Sequence, residues 1–219
     1  MSFQRARNDE QRQVRLDQIT NAMIELMQDL PFDKITMKKL GEKLSFTRNN
    51  LYQYVKSKNE IIILIIQRDF KAWYTTLKTN LGEQQFSENE FIKIWVEIAS
   101  QYPRILHWFP LLGELIEKDV SLEKLIPFKK NFYDVMQNTE ILIIKCLPEL
   151  TMKQAEHLIY FHLRVLPHLF HLHHQSEIQQ KAVKEAGYPV MHRTFAENAA
   201  LEMQIYLNGL KNTTESREN

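Results

Sequence analysis

Eight consecutive residues, Thr47-Arg48-Asn49-Asn50-Leu51-Tyr52-Gln53-Tyr54, hold the densest run of recognition groups in the chain. Asn49, Asn50 and Gln53 each present a donor beside an acceptor, the pattern that pairs with the major-groove edge of adenine. Arg48 carries a planar fork that fits guanine or a phosphate. The hydroxyls of Thr47 and Tyr54, with Lys56 and Lys58 just beyond, suit phosphate oxygens. Leu51 is the apolar position a helix would turn inward if it opened at Arg48 and ran to about Val55. Taken alone, the run also fits a capped, solvated polar helix in an ordinary bundle.

The elements that must position this run are legible on both sides. From about Arg12 to Leu30, Ile19, Ala22, Met23, Leu26 and Met27 fall on one helical face, and Pro31 stops that helix. Thr36 caps a short helix, Met37 to Leu44, which buries Met37 and Leu40. Ser45-Phe46 make a tight connection, and Thr47 is the next cap. Ser57-Lys58-Asn59-Glu60 is a capping box opening a long helix to roughly Leu81. Two short helices cannot bury a core alone, but they can between longer neighbours. The arrangement is a helix-turn-helix.

The rest of the chain also reads as helix. Ser87 to Glu90 is a capping box leading into Phe91, Ile92, Trp95 and Ile98. Pro103 and Pro110 bracket a short element. A helix or broken pair spans roughly Leu111 to Cys146, with interruptions expected near Asp119 to Ser121 and at Pro127. Thr151 caps a long helix toward Gln175, with a bend expected at Pro167. Polar helix covers residues 176 to 186, Gly187 to Pro189 breaks it, and the last helix runs from Val190 to Leu210. The 212–219 tail has no apolar residue and is expected to be disordered. No period-2 alternation and no internal repeat is visible, so the fold class is all-α.

Composition narrows the function classes. The chain has 219 residues, 44% of them hydrophobic, with 5 Gly and 7 Pro, as suits a helical protein with a substantial core. Its longest aliphatic run, Ile61 to Ile66, is far too short to span a membrane, and the N-terminal residues lack the apolar core of a secretory signal. A single Cys146 excludes an intrachain disulfide and suits a reducing cytoplasm, the expected location. The net charge of +1 conceals a pattern: Lys34, Lys38, Lys39, Lys43, Arg48, Lys56 and Lys58 face one acidic residue, Glu42, over that stretch. Residues 61 to 219 carry 17 basic against 19 acidic groups. A basic segment on a slightly acidic body has the form of a phosphate-binding surface, or of an ordinary solvated face.

Residues 19 to 60 resemble the DNA-binding domain of the TetR family of transcriptional regulators. The resembling stretches are Ile19 to Met27, Phe32 to Met37, Leu40 to Thr47, Leu51 to Val55 and Lys56 to Glu60. The resemblance implies a phosphate-contacting threonine at Thr36, an aromatic pair at Tyr52 and Tyr54, and a phosphate-binding lysine at Lys58. Departures occur at Pro31 and Ser45, where the family often has glycine, at Asn49-Asn50, and at Val55 in place of phenylalanine. The asparagines put unusual polar groups on the reading surface, so the preferred target differs from that of familiar members. The implied architecture is a three-helix head over residues 1–56 and a larger helical body over 57–211, which dimerises and encloses an effector pocket.

For the body, the resemblance implies a homodimer on palindromic double-stranded DNA and an unknown small-molecule effector. Phe195, Ala199, Met203, Tyr206 and Leu210 form a stripe that fits a dimer face, or a cover for the subunit's own core. Trp73, Trp95, Trp108, Phe132, Met136 and Phe161, with Gln101, His107 and His162 as polar anchors, fit a ligand pocket. Each of them fits plain core as well. His168, His171 and His174 lie three apart, near His162, and raise the question of zinc, but no cysteine accompanies them and no metal is expected. Nor is any cofactor. The rival class, an enzyme, lacks support: there is no H-E-x-x-H, no G-x-S-x-G and no phosphate-cradling glycine loop. A regulator that binds DNA constitutively through a solid body is the remaining alternative.

Overall fold

The computed structural model describes residues 2–82, 84–187 and 193–212, with the backbone alone for residues 2–9 and Arg48. Ten α-helices occur among them: α1 (Ser2–Asp29), α2 (Met37–Leu44), α3 (Arg48–Tyr52), α4 (Lys58–Leu81), α5 (Glu88–Ser100), α6 (Pro103–Trp108), α7 (Leu122–Cys146), α8 (Met152–His173), α9 (Glu177–Glu185) and α10 (Phe195–Asn212). No strand is present among the described residues, and none of their helices is long and apolar enough to cross a membrane. The all-α class follows. The tail expected to be disordered begins at Asn212, which closes α10; the remainder of it lies outside the described residues, as do Tyr188 and Pro189 of the expected break.

The caps explain most of these boundaries. Thr36 accepts from the Lys39 N–H and Thr47 from the Asn50 N–H, each at 3.2 Å. Ser87, Thr151 and Ser176 each complete a reciprocal capping box. At the other end of α2, Ser45 adopts the left-handed conformation, with φ 56 and ψ 32. Phe46 N–H then donates to the Gly41 carbonyl at 2.9 Å, satisfying an acceptor the helix end leaves open. A side chain on Gly41 would meet the Phe46 oxygen at 3.2 Å, so this turn needs a small residue there.

Two expectations change. α3 ends at Tyr52 rather than near Val55, because the Gln53 and Tyr54 amides turn back to Asn50 and Leu51. α7 runs through Pro127 without a break. The interruption expected near Asp119 to Ser121 is present before Leu122, and ahead of it a 3-10 turn (Phe109–Leu111), a π turn (Leu112–Ile116) and a second 3-10 turn (Glu117–Asp119) follow one another.

The chain forms two compact units. The first takes residues up to Gln67 together with Leu112–Lys129. Its core is Ile19, Met23, Ile35, Leu40, Leu51, Val55, Ile61 and Ile62, all essentially inaccessible. At roughly 1.5–3 kcal/mol for each large aliphatic side chain buried, these contacts outweigh any propensity of α2 and α3 to form alone. Asn59 belongs to this unit: its amide donates to the Leu115 carbonyl at 3.1 Å and to Asp119 at 3.2 Å, fixing the start of α4 to the 112–119 segment.

The second unit takes Arg68–Leu111 and the residues from Lys130 onward. α10 packs on α5 and α8, and α6 also packs on α8. Within it, Arg104 clasps buried Asp69 through two hydrogen bonds of 2.7 and 2.8 Å, which hold the guanidinium pKa above its ordinary value.

Candidate nucleic-acid interface and ligand core

Helix α3 has two unlike sides. Leu51, on its inner side, is fully buried with Val55 just beyond, whereas Asn49, Asn50 and Gln53 are exposed. Burying Leu51 and capping at Thr47 fixes which side faces outward, and the three carboxamides share that outer side. Thr36 and Thr47 are exposed at the starts of α2 and α3, and each hydroxyl, already accepting one amide proton, still has a proton to donate. Tyr52 lines a cleft of about 660 Å³ with Thr36, Met37, Lys38, Gly41, Glu42, Ser45 and Phe46. Lys56 is exposed, and the Arg48 side chain lies outside the described residues.

Two of the expected DNA contacts are held by the head itself. Tyr54 is half-buried beneath the Arg12 guanidinium, 5.6 Å from the ring centre. Arg12 also donates to the Gln53 carbonyl at 3.4 Å. The Lys58 ammonium donates to the carbonyls of Phe32 (2.8 Å) and Ile35 (3.3 Å) and sits over the Phe32 ring. Lys58 therefore ties the loop before α2 to the start of α4, with one of its three N–H donors remaining for a phosphate. Arg12, Asn59 and Lys58's carbonyl partners escaped sequence reasoning, since no spacing rule links residues 23 to 60 positions apart. Other basic residues have acidic neighbours: Lys43 pairs with Glu25 at 2.7 Å, and Lys34 with Asp33 at 3.2 Å, which lowers the Asp33 pKa.

In the second unit the expected pocket residues divide. Trp73, Trp95, Trp108, Phe161, His162 and Met136 are buried, and Phe132 is half-buried. Gln101 and His107 are exposed and anchor no interior site. The buried rings form one cluster: Trp73 meets Trp95 edge-on at 5.6 Å and stacks on His162 at 4.6 Å. Phe70 joins Trp73 to Phe109 and Phe132 through edge contacts.

The histidines do not converge. His162 lies in that core, whereas His174 stacks on Phe170 and donates to its carbonyl at 2.8 Å. His171 reaches the His107 carbonyl at 3.3 Å, and Asn198 donates to His173 at 2.9 Å. Among the described residues no three His, Cys, Asp or Glu groups are placed to hold a metal ion. Burial raises the Cys146 thiol to about 11, which makes it a poor nucleophile.

The expected dimer stripe turns inward. Ala199 and Met203 are 0% exposed, Leu210 is buried, and Tyr206 packs against Phe161 at 4.9 Å. Phe195 meets Phe170 edge-on at 5.8 Å. These residues cover their own subunit's core, because α10 lies on α5 and α8 along that side. Helical periodicity detects a stripe but not what covers it. The exposed large apolar groups on these two helices are Leu201 and Ile205 on α10 and Met152, Tyr160 and Leu172 on α8.

Comparison with known proteins bears on the same architecture. A family profile described as "Tetracyclin repressor-like, C-terminal domain" matches residues 67–214. No curated protein matches the chain. Among solved structures, the fatty acid degradation regulator FadR from Bacillus halodurans is similar with a TM-score of 0.51 at 12% identity, over 92% of this chain and 97% of that one. At that identity the likeness is one of fold.

Proposed function

The chain belongs to the tetracyclin repressor-like (TetR) family of transcriptional regulators, and on that premise we propose that it is a homodimeric repressor released from a palindromic operator by a small molecule. The observation that carries the DNA-binding part is the two-sided helix α3, with Leu51 buried and Asn49, Asn50 and Gln53 presented together outward. In this reading Asn49, Asn50 and Gln53 read base edges, with Arg48. Thr36, Thr47, Tyr52, Tyr54, Lys56 and the remaining Lys58 donor position the duplex through its phosphates. The head of the proposed domain division ends where α4 begins.

A two-fold operator needs two heads, with recognition helices about 34 Å apart or a multiple of a turn. The exposed Leu201, Ile205, Met152 and Tyr160 supply the apolar side chains for pairing α8 and α10 with their copies. The effector acts by preferring the conformer that does not fit the operator, and it shifts the population only as far as that preference reaches. Footprinting of the purified protein on its own genome tests the reading. A protected palindrome is expected, and protection without sequence preference would sink it. Repeating the footprint with candidate effectors tests release.

A further inference from the structure

The core of the second unit contains polar groups that apolar packing does not account for. His162 is 1% exposed, with Trp73 stacked on it and Trp95 edge-on at 5.6 Å. Trp95 Nε1–H donates to His162 Nδ1 at 3.2 Å. An indole nitrogen only donates, so Nδ1 is the bare nitrogen and the ring proton sits on Nε2. Burial lowers the ring's pKa to about 3, so it is neutral at ordinary pH.

The two remaining polar atoms are therefore both donors: Nε2–H of His162 and Nε1–H of Trp73. Both are buried, and among the described residues no atom accepts from either. An unsatisfied buried donor is costly, and two on adjacent stacked rings are rare in a region that only has to fill space. Phenylalanine in place of Trp73 would supply an apolar ring with no donor to satisfy. The neighbouring rings of Phe70, Phe91 and Trp95 offer nothing but apolar surface and a donor already engaged.

Resting on the ligand-gated reading above, we propose that Trp73 and His162 are the polar anchor of the effector site and take the oxygen of an uncharged, carbonyl-type group on an apolar molecule. The chemistry excludes neighbouring classes. An ammonium would find no acceptor, because Nδ1 is engaged by Trp95. A carboxylate would be buried without a counter-charge, because His162 can accept a second proton only by giving up the Trp95 bond.

The test uses the full-length protein labelled with ¹⁵N at tryptophan and histidine, titrated with acetophenone, ethylbenzene and 1-phenylethylammonium up to their solubility limits. These probes share a phenyl ring and a two-carbon arm and differ in the polar group. Acetophenone is expected to move the Trp73 and His162 N–H signals while that of Trp95 stays near its position. The other two should bind at least about tenfold more weakly, the loss of one or more buried hydrogen bonds. Trp73→Phe and His162→Phe should each weaken acetophenone binding while a cooperative melt is kept, His162→Phe at a lower midpoint because the Trp95 N–H loses its acceptor. If either variant fails to fold, the wild-type signals alone decide.

Equal binding of ethylbenzene, or N–H signals unmoved by acetophenone and held by a slowly exchanging water, would overturn the proposal. A compound that releases operator without moving either signal overturns the anchor and leaves gating intact. Movement of both signals without operator release supports the anchor and refutes gating.

Discussion

The Lys58 ammonium lies 4.2 Å above the centre of the Phe32 ring while donating to the Phe32 carbonyl oxygen at 2.8 Å. One side chain thus grips one residue twice, through its ring and its backbone, and reaches Ile35 as well. A lysine expected to hold phosphate is also a clamp inside the head. Lys58→Met should therefore destabilise the free protein by about 1–2 kcal/mol, from lost hydrogen bonds and cation–π contact. Lys56→Met, exposed, should leave stability within about 0.5 kcal/mol and lower the salt slope of DNA binding by about 1. Urea melts without DNA separate the two, and equal stability for both variants would show that the clamp contributes nothing.

Replacing outward carboxamides should alter preference rather than overall affinity. Asn49→Ala, Asn50→Ala and Gln53→Ala are each expected to cost about 1–3 kcal/mol at the operator and to relax selectivity at one or two base positions. Tyr54→Phe should weaken binding evenly across sequences, if its hydroxyl meets phosphate. Binding selections on a randomised operator check this. Uniform weakening by all three carboxamide variants would place them on the backbone instead.

Ser45 stands in the left-handed region at the end of α2, where a side chain is disfavoured. Ser45→Gly should stabilise the head by roughly 0.5–1 kcal/mol, and Ser45→Val, β-branched, should destabilise it by more. Denaturant midpoints at constant slope decide the matter. A destabilising glycine would mean that the serine side chain contributes more than the backbone gains.

The pH dependence follows from His162, whose folded pKa of about 3 lies below its unfolded value near 6.5. Between those values the unfolded chain binds the proton and the folded chain does not. Stability is therefore complete above about pH 6.5 and falls as pH drops toward 3. From pH 7 to pH 5 this one group should cost about 2 kcal/mol. Partial desolvation of the His107 ring, although it is exposed, and the neighbouring His171 lower the His107 pKa as well, in the same direction. His162→Phe should flatten the curve over this range relative to the parent. An unchanged slope would refute a buried neutral imidazole.

How far the fold could be read in advance depended on the range of the interactions. Local chemistry placed α2 to the residue, because the Thr36 cap and the end at Leu44 involve neighbours three or four positions apart. The same reasoning overran α3, whose end depends on the Gln53 and Tyr54 turn, and it expected a break at Pro127 where packing carries α7 through. The buried Leu51 and exposed Asn49, Asn50 and Gln53 matched their periodicity. The Asn59 bonds to Leu115 and Asp119 had no sequence signal, since carboxamides and carbonyls carry no register over more than fifty residues.

The face of α10 was the hardest to assign, because the helix carries two apolar stripes and periodicity ranks them by size. The larger one, through Met203, covers the subunit's core, and the smaller leaves Leu201 41% and Ile205 57% exposed. If the smaller stripe pairs two copies, Leu201→Glu with Ile205→Glu should yield folded monomers, since both sites are solvated in the single chain and a charge there costs the fold little. In a closed dimer the same charges would face apolar groups and one another, which association does not survive. Met203→Ala should behave oppositely, losing about 2–5 kcal/mol of stability through the cavity it opens. Sedimentation velocity beside thermal melts distinguishes the two. A double glutamate variant that stays dimeric would move the interface away from α10, and a monomer that still protects both half-sites equally would remove the need for pairing at all.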